Sequence, residues 1–588
     1  MKVKVSDYIA NFYANKGIDV AFVLTGGCII HFIDSIAKND RINYIPMLHE
    51  QSAAMAADAY ARISDKPGLV ATTSGPGATN LLTGICCAYY DSIPLIAITG
   101  QVSAKFLKND LPTRQFGFQE TDVKSIYQSV TKYSSLVTNP QKIRFELEKS
   151  FYIANSGRKG PVLLDITEDV LFGYVEEDNL EGFTPPKNEY KPNSFNNELI
   201  KIREQIINSK RPVLVLGAGA TEAPNEEIVK AAQKFGLPVL LTWGAYYLSG
   251  YLGDLFCGGF GVTSPRSGNF LIQNSDLLIA IGTRFDTHEI GSNVDLFAPK
   301  AKRIVIDIDQ GEIDKLKKIG FQIDLEICLS SSKFINLINN TDFKLPTIDR
   351  NVWFQMNRNW INKYPICHSS HKSQKTLVNP YYFFERLGKV LPDRCIVVTD
   401  CGSNLIWTMQ SLIPRNGQRI ISAFNHSPMG YSIAGSIGAF FAKPEDPPIV
   451  CIIGDGGFQI NVQELAVISK HNLNIKIFVM NNHCHGIIQG TQNAWLEGRH
   501  HAACPIDGKL PDPDVKKIAN AYDIDTFHIE NHENIDATFK MVFANKSPNL
   551  IDVSMLEKSQ IEPKLMYGRS IEDSHPLLSR EELSQNLI

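Results

Sequence analysis

Short apolar runs alternate with segments of helical periodicity along most of the chain. Three of these runs lie at residues 277–281, 449–453 and 475–480, and each is followed by Gly or Asn and then by a helix-like segment. Buried parallel strands read as short continuous apolar runs, and the connections between them are helical. The alternation therefore predicts α/β structure with parallel sheets.

Two polar stretches divide this pattern into units. Residues 175–197 are rich in Glu, Asn and Pro, and residues 340–380 are polar and irregular apart from a short helical piece around Trp353. Composition shifts of this kind mark linkers. We therefore predict three doubly wound parallel-sheet domains and a polar C-terminal tail, at residues 1–175, 190–345, 375–560 and 561–588.

The composition is that of an ordinary globular protein, and it excludes several classes. Of the 588 residues, 44% are apolar and 20% are charged, with 58 Lys and Arg against 62 Asp and Glu. That balance excludes a disordered chain and gives no electrostatic reason to expect nucleic acid as a partner. No apolar run approaches the ~18–20 residues of a membrane span, so we expect no membrane partner either.

The 11 cysteines indicate a reducing compartment. Their number is odd, no two have the C-x-x-C spacing, and most stand in apolar runs, as Cys451 does. Such cysteines are typical of reduced thiols in a protein core, not of a disulfide framework or a zinc site. Because the N-terminal residues also lack the apolar stretch of a secretion signal, we predict a cytoplasmic protein.

The strongest candidate for chemistry is a pair of motifs at two successive strand ends. The segment Gly454–Gly457 reads Gly-Asp-Gly-Gly and ends one apolar run, and Asn481-Asn482 ends the next. A right-handed βαβ crossover brings both motifs to one edge of a sheet. Asp455 and Asn482 then offer hard oxygen ligands that suit Mg²⁺, and glycine lets backbone N–H groups approach a phosphate. A plain tight turn is the alternative interpretation of Gly-Asp-Gly by itself.

Gly-Asp-Gly followed at this distance by Asn-Asn is the signature of enzymes that use thiamin diphosphate. The surrounding sequence, Ile453 to Leu465, resembles the group of acetohydroxyacid synthases and pyruvate oxidases, and the resemblance extends over about residues 3–560. It implies that the three domains bind the pyrimidine of the cofactor, a flavin and the diphosphate, in that order. It also implies a homodimer or homotetramer with active sites between subunits.

The resemblance assigns residues to the cofactor and its metal ion. Asp455, Asn482 and the backbone carbonyl of Cys484 correspond to ligands of Mg²⁺, and Met429 corresponds to the bulky residue that bends thiamin diphosphate. A methionine at such a place is, by itself, more often plain core. The further residues implied in contacts with thiamin diphosphate are Gly26, Gly27, Cys28, Glu50, Gly75, Asn80, Gly402, Ser403, Asn404, Gly454, Gly456, Gly457 and Ile487.

Three residues are implied as catalytic. Glu50 occupies the glutamate position of a segment that resembles the family's His-Glu-Gln helix start, where a desolvated carboxyl activates the aminopyrimidine. A glutamate that only serves the helix dipole is the alternative. Gln119, within Phe-Gln-Glu, corresponds to a glutamine that faces the reacting carbons. His31 stands where acetohydroxyacid synthases usually have proline, and it is either a proton-transfer group or a helix N-terminal histidine without chemistry.

The middle unit carries features of the flavin-binding members. A strand that runs into Gly217-Ala-Gly219 is weak evidence for a nucleotide by itself, but the segment Gly282–Asp286 resembles their Gly-x-Arg-Phe-Asp. One departure is the lack of an acidic residue near Cys328, so a middle domain that is empty or holds ADP is the alternative to FAD. The residues implied in contacts with FAD are Arg158, Gly217, Gly219, Thr242, Gly259, Phe260, Gly282, Arg284, Asp286 and Asp307.

The acceptor site departs from that of acetohydroxyacid synthases at two positions. His288 stands where those enzymes have the arginine that binds the carboxylate of a second 2-oxo acid, and Thr491 stands where they have a tryptophan beside the acceptor. An Arg–carboxylate contact contributes roughly 1.5–3 kcal/mol. Its loss argues against a small 2-oxo acid as the acceptor.

Together these features predict a thiamin-diphosphate carboligase with Mg²⁺ and structural FAD. The segments at residues 264–274 and 491–499 resemble acetolactate-synthase-like flavoenzymes that make branched-chain sugars. We expect pyruvate to be decarboxylated and its two-carbon acetyl unit to be transferred to an acceptor ketone, a nucleotide-linked ketosugar. The alternatives are an acetolactate synthase of branched-chain amino-acid biosynthesis, a flavin-dependent pyruvate oxidase, and a catalytically idle binding protein.

Overall fold

Three parallel sheets organise the chain. The computed structural model describes residues 1–186, 195–346, 348–415, 417–445 and 447–588. Within these residues, each of the three large sheets has six strands that are parallel throughout. This confirms the predicted fold class, an α/β protein with three doubly wound parallel-sheet domains. The boundary predicted at residue 190 lies outside the described residues.

The first domain begins at the N-terminus. Its strands are β1 (Lys2–Lys4), β2 (Val20–Val23), β3 (Asn43–Pro46), β4 (Gly68–Thr72), β5 (Leu95–Gln101), β6 (Tyr133–Val137), β7 (Val162–Thr167) and β8 (Tyr174–Glu176). Its helices are α1 (Val5–Asn15), α2 (Ile30–Ala37), α3 (Glu50–Ser64), α4 (Pro76–Thr79), α5 (Leu82–Asp91), α6 (Val123–Tyr127), α7 (Ile143–Asn155) and α8 (Glu168–Phe172). The large sheet has the order β3-β2-β4-β5-β7-β6, and β1 pairs antiparallel with β8.

Both faces of the first sheet are buried. Phe22 belongs to an apolar cluster that extends into the third domain, whereas its neighbours Ala21 and Val23 belong to a second cluster. All residues of β4, β5 and β7 are buried. That burial is the reason why these strands read as continuous apolar runs and not as alternating ones.

The second domain follows the same plan. Its strands are β9 (Pro212–Leu216), β10 (Val239–Leu241), β11 (Phe256–Gly259), β12 (Leu277–Ile281), β13 (Lys302–Asp307) and β14 (Leu325–Cys328), in the sheet order β11-β10-β9-β12-β13-β14. Its helices are α9 (Asn196–Asn208), α10 (Asn225–Phe235), α11 (Ser249–Leu252), α12 (Arg266–Gln273), α13 (Thr287–Ile290), α14 (Gln310–Lys318) and α15 (Ser331–Asn340).

The linker to the third domain contains α16 (Asn351–Lys363) and α17 (Ser369–Ser373). The helix predicted around Trp353 is therefore confirmed, and it is longer than the short piece that the pattern indicated. Trp353 and Trp360, two turns apart, are both buried on one side of α16. The indole N–H of Trp353 donates to the backbone oxygen of Pro212 (3.1 Å), so the linker helix is fastened to the second domain.

The third domain carries the last large sheet and the tail. Its strands are β15 (Ile396–Thr399), β16 (Arg419–Ile421), β17 (Ile449–Gly454), β18 (Ile475–Asn481), β19 (Asp525–Ile529) and β20 (Asn549–Ser554), and the tail forms β21 (Lys564–Leu565) and β22 (Ser574–His575). Its helices are α18 (Pro380–Val390), α19 (Ser403–Ser411), α20 (Tyr431–Ala442), α21 (Asp455–Ile460), α22 (Leu465–Lys470), α23 (Gly486–Trp495), α24 (Val515–Ala521), α25 (Ile535–Ala544) and, in the tail, α26 (Arg580–Gln585). In the described parts of the chain, every helix is too short or too polar to cross a bilayer.

The third sheet places the motifs predicted at two strand ends side by side. Its order is β16-β15-β17-β18-β20-β19, so the chain reverses direction across the sheet between β15 and β17. β17 and β18 pair in register, with Gly454 opposite Met480. Open α/β sheets bind ligands outside the carboxyl ends of the strands at such a switch point.

The first and third domains pack through α3 and α20. The two helices lie so close that a Cβ on Gly438 would stand 1.9 Å from the backbone oxygen of Ala56. The hydroxyl of Tyr431 donates to the buried carboxylate of Asp58 (2.5 Å), which also pairs with Arg62 (2.7 Å). Glycine is required at residue 438 because no side chain fits between the two helices.

Replacing Gly438 by Ala tests this close approach. The added methyl group has to push the two helices apart, so we expect the free energy of unfolding to fall by about 1–3 kcal/mol, as measured by urea denaturation. Gly490→Ala is the matched control, because a Cβ at this other helical glycine meets nothing within 4 Å. The control should be neutral or slightly stabilising. Equal effects of the two substitutions would contradict the packing described.

Candidate active site

The predicted metal ligands converge at the carboxyl end of the third sheet. Asp455 begins α21 directly after β17, and Asn482 follows β18. The Nδ2 of Asn482 donates to Cys484 Sγ (2.9 Å) and to the backbone oxygen of Glu557 (3.4 Å), so the side-chain oxygen of Asn482 is the atom left for a cation. The carbonyl of Cys484 accepts one bond, from the N–H of Gly486 (3.0 Å), and keeps a second lone pair.

These three groups fit a divalent cation. Burial raises the pKa of the Asp455 carboxyl to about 7, because a desolvated carboxylate is disfavoured in its charged form. A cation bound beside Asp455 would reverse that effect. One carboxylate, one amide oxygen and one backbone carbonyl are hard oxygen donors, and they leave coordination positions for phosphate oxygens, as Mg²⁺ prefers.

The backbone around Asp455 has room for glycine only. A Cβ on Gly457 would stand 2.1 Å from Asp400 Oδ2, and a Cβ on Gly456 would stand 2.5 Å from His485 Nε2. Because these positions carry no side chain, the loop packs directly against Asp400 and His485. A glycine-rich turn between a strand and a helix N-terminus is typical of loops that bind phosphate.

The neighbouring loops are fixed by a buried carboxyl group. Asp400 accepts the N–H groups of Gly430 (3.0 Å) and Ser432 (3.1 Å), which holds the loop that carries Met429. Burial raises the pKa of Asp400 to about 7. Beside it, the Nδ2 of Asn404 is buried without a hydrogen-bond partner among the described residues. An orphaned buried donor of this kind fits a phosphate oxygen.

Two predicted catalytic residues lie in the first domain, Glu50 at the start of a helix and Gln119 in a loop. Glu50 begins α3, is buried, and accepts a hydrogen bond on Oε2 from Asn80 Nδ2 (3.0 Å). Gln119 adopts a left-handed backbone conformation (φ 64°), and its Cβ lies 3.0 Å from the Cβ position of Gly75. Both pairs bring together residues that the sequence assigned to the same cofactor.

The Gly26–Cys28 loop lies against Thr73 and Ser74, and His31 lies in α2. A Cβ on Gly26 would stand 2.5 Å from Thr73, and Cys28 Sγ accepts from Ser74 Oγ (3.4 Å). His31 is half-buried in α2, with Nδ1 3.2 Å from the Lys4 ammonium nitrogen. Burial, helped by the charge of Lys4, lowers the pKa of His31.

The first-domain residues and the metal residues have different hydrogen-bond partners. Among the described residues, no hydrogen bond or ion pair joins Glu50 to Asp455 or Asn482. The third-domain group that reaches the start of α3 is instead Glu464, whose carboxylate accepts from the N–H of Leu48 (3.3 Å). Burial raises the pKa of Glu464 to about 7.

A cavity of about 1470 Å³ brings the middle domain together with its neighbours. Gly217, Gly259 and Thr491 lie outside its lining, and Thr491 is exposed on α23, where its hydroxyl donates to the backbone oxygen of Ile487 (3.1 Å). The predicted residues that line the cavity are Arg158, Gly219, Thr242, Phe260, Gly282, Arg284, Asp286, Asp307, His288, Gly402 and Ile487.

The size of the cavity and the glycine turn after β9 both fit a dinucleotide. The ends of β9 and β12 touch through backbone atoms, since a Cβ on Gly217 would stand 2.1 Å from the oxygen of Gly282. Arg158, however, already pairs with Asp309 (2.8 Å) and Glu312 (2.7 Å). A bound diphosphate would therefore share this arginine with two carboxylates.

Two further predicted flavin contacts have their own partners at the cavity. Arg284 Nε lies 3.4 Å from Glu312 Oε1 without hydrogen-bond geometry, so this buried donor remains open to a ligand. Asp307 accepts the N–H of Asp309 (2.9 Å), and burial raises the pKa of Asp307 to about 6.

The wall of the cavity at His288 presents a neutral ring. The ring of His288 lies 4.3 Å from that of Trp243, and its Nε2 is 3.1 Å from Thr263 Oγ1. Burial lowers the pKa of His288. The adjacent Glu289 accepts from Thr283 Oγ1 (2.9 Å), and burial raises its pKa to about 8. At neutral pH, neither residue 288 nor residue 289 therefore carries charge.

The sequence reasoning missed three residues at these sites. Trp243, Glu289 and His485 each stand directly next to a residue that the motifs did identify: Thr242, His288 and Cys484. That adjacency is a signal that could have marked them. The sequence does not show which of these side chains turns toward the cavity and which turns away.

Comparison with known proteins identifies the family. Three family models match the three domains: the thiamine pyrophosphate enzyme N-terminal TPP binding domain at residues 3–126, the central domain at 199–334 and the C-terminal TPP binding domain at 400–553. The chain therefore belongs to the thiamine pyrophosphate enzymes. Their TPP-binding domains support thiamin diphosphate as the cofactor.

Similarity to individual proteins indicates a narrower group within this family. The chain is 32% identical to an acetolactate synthase large subunit of Cyanidium caldarium, over 93% of this chain and 92% of that one. It is 31% identical to the acetolactate synthase isozyme 1 large subunit of Escherichia coli strain K12, over 96% of each chain. These relatives support an acetolactate synthase-like enzyme that depends on thiamin diphosphate and forms C–C bonds.

Glu289→Gln tests the burial of the carboxyl beside His288. The folded protein holds the pKa of Glu289 at about 8, above its usual value of about 4.3. Folding thus favours the protonated form, and this group makes the wild type less stable as the pH rises between those two values. Glutamine does not titrate, so the thermal midpoint of the variant relative to wild type should rise between ~pH 5 and ~pH 9.

The control is Glu222→Gln, at an exposed position that also lines the cavity. The difference between the thermal midpoint of this variant and that of the wild type should be the same at ~pH 5 and at ~pH 9. A Glu289→Gln difference that does not change with pH would show that this carboxyl titrates as it does in water.

Proposed function

We propose that this enzyme decarboxylates pyruvate and transfers the two-carbon acetyl unit to a nucleotide-linked ketosugar. The observation that carries the acceptor is the neutral ring of His288, packed against Trp243 in the wall of a cavity of about 1470 Å³. The carboxylate of a second pyruvate finds no cation at residue 288, where acetohydroxyacid synthases have arginine. A larger, uncharged ketone group does not need one.

The proposed metal centre fixes the cofactor. Asp455, Asn482 and the carbonyl of Cys484 would hold Mg²⁺, which would supply positive charge for binding the diphosphate. Thiamin diphosphate, when bound, supplies the electron sink for decarboxylation and for C–C bond formation. Met429 supports the bent cofactor from the loop that Asp400 fixes, and the unpartnered Asn404 Nδ2 donates to a phosphate oxygen.

The proposed proton-handling groups lie in the first domain. Asn80 occupies Oε2 of Glu50, so Oε1 is the atom that holds the proton shared with the aminopyrimidine. Lys4 lies beside Nδ1 of His31, which leaves Nε2 of that neutral ring for proton transfer. Gln119 orients the reacting groups from its left-handed turn.

FAD is proposed as a structural cofactor of the middle domain. The turn that contains Gly217 and Gly219, the size of the cavity and the open Nε of Arg284 support it. Asp307, which lines the cavity, would accept a hydrogen bond from a hydroxyl group of the dinucleotide. Transfer of the acetyl unit to a ketone involves no net redox change, so the flavin need not accept electrons.

We further propose a homodimer or homotetramer with active sites between subunits. Among the described residues of one chain, Glu50 and Asp455 share no hydrogen bond or ion pair, and this supports the proposal because both must reach the same cofactor molecule. The cytoplasm is the proposed compartment. All 11 cysteines are free, including the buried pair Cys86 and Cys87, which supports a reducing environment.

A second candidate is acetolactate synthase activity itself. The observation that favours it is the similarity to two acetolactate synthase large subunits, which match almost the whole chain at 31–32% identity. In that case a second pyruvate is the acceptor, and its carboxylate is bound by a group other than residue 288.

Product analysis separates the two candidates. The purified enzyme with thiamin diphosphate, Mg²⁺ and FAD is given pyruvate alone, or pyruvate with CDP-, GDP- or UDP-linked ketosugars. Because residue 288 offers no cation to a carboxylate, we expect little acetolactate from pyruvate alone. We expect one nucleotide sugar to gain the two-carbon unit, read by mass spectrometry. Rapid acetolactate formation without any sugar would favour the second candidate.

Mixing two inactive variants tests whether the site forms between subunits. Glu50→Gln and Asp455→Asn should each abolish pyruvate decarboxylation when tested alone. In co-expressed mixed dimers, one of the two sites combines an intact Glu50 with an intact Asp455. Random pairing should therefore restore about one quarter of wild-type activity. A site contained within one chain predicts no recovery, since each chain lacks one of the two groups.

A further inference from the structure

His485 lies inside the proposed phosphate-binding region and has no role in the proposal above. It directly follows Cys484 and precedes α23. Its backbone is held at both ends: its N–H donates to the oxygen of Ala503 (2.9 Å), and its oxygen accepts from the N–H groups of Ile488 (2.9 Å) and Gln489 (3.0 Å). The position of its Cα is therefore fixed by the loop.

The ring of His485 packs against the glycine that follows Asp455. Its Nε2 stands 2.5 Å and its Cδ2 2.6 Å from the position that a Cβ would occupy on Gly456. The Cε of Met429 stands 3.2 Å from the same position. The ring of His485 and the side chain of Met429 thus both lie against the Gly-Asp-Gly-Gly turn at Gly456.

The ring has hydrogen-bonding capacity that the protein does not use. The ring is half-buried, and neither of its nitrogens has a hydrogen-bond partner within the described parts of the chain. An imidazole carries at least one N–H donor at any pH in the physiological range. A donor that is held in place beside a phosphate-binding turn and has no protein partner points to an anionic ligand.

We propose that His485 is a binding residue for thiamin diphosphate and that its Nε2–H donates a hydrogen bond to the diphosphate. A diphosphate held by Mg²⁺ on Asp455 and Asn482 lies along Gly456, and therefore beside this ring. The bond strengthens cofactor binding and orients the diphosphate. This inference rests on the proposed cofactor site.

The test measures cofactor binding and not turnover. Apo-enzyme at saturating Mg²⁺ is titrated with thiamin diphosphate by calorimetry, and inorganic diphosphate is titrated separately. His485→Leu removes the donor and keeps an apolar side chain, so we expect its Kd for thiamin diphosphate to rise about 10-fold. Inorganic diphosphate should lose affinity by the same factor, because the lost bond goes to the phosphates.

His485→Gln distinguishes a hydrogen bond from a packing role. The glutamine amide places an N–H donor near the former Nε2, so its affinity should stay within about threefold of wild type. His501→Leu, at an exposed histidine of the loop after α23, is the matched control and should bind as wild type does. Melting of each metal-free variant checks that it is folded.

Three outcomes would overturn the proposal. In the first, His485→Leu binds thiamin diphosphate with an unchanged Kd. In the second, this variant loses affinity for thiamin diphosphate but not for inorganic diphosphate. In the third, the Leu and Gln variants lose the same affinity for thiamin diphosphate. The failure of the broader proposal looks different. A wild-type enzyme that does not bind thiamin diphosphate with Mg²⁺ would remove the cofactor site itself, whatever the variants do.

Discussion

The register between β17 and β18 is the constraint on which the candidate site depends. Gly454 stands opposite Met480, so the residues that follow both strands leave the sheet at the same edge. Asp455 and Asn482 meet there, although 26 residues separate them along the chain. Both strands are buried on both faces, and a slip of one residue would turn every side chain to the wrong face. Core packing therefore fixes the geometry of the metal site.

Buried carboxyl groups are a second recurring feature of the structure. Asp400, Asp455 and Glu464 in the third domain, and Glu289 in the second, all have raised pKa values because they are desolvated. Some of these groups serve the scaffold, as Asp400 does when it accepts two backbone N–H groups. At Asp455 the backbone N–H of Gly456 offsets only part of the desolvation, so the pKa of this carboxyl stays raised, at about 7.

The large cavity explains how one family fold can take different acceptors. Its wall is assembled from all three domains, and the sheets that position it are unaffected by the identity of the lining residues. At residue 288 the wall presents a ring packed at a tilt against Trp243, with the ring centres 4.3 Å apart. Under the proposed function, exchanging a cation for a neutral aromatic surface would change which acceptor is bound, while the candidate metal ligands, which lie outside the lining of the cavity, stay the same.

The sequence by itself determined the fold class, and it predicted the residues of the candidate metal centre. Strand-length apolar runs and the Gly-Asp-Gly and Asn-Asn motifs are local patterns, and local patterns specify which strand ends in which residue. Only the tertiary structure decided that burial lowers the pKa of His288 and that the ring of His485 lies against Gly456. These properties depend on burial and on contacts between distant segments, which no window of sequence contains.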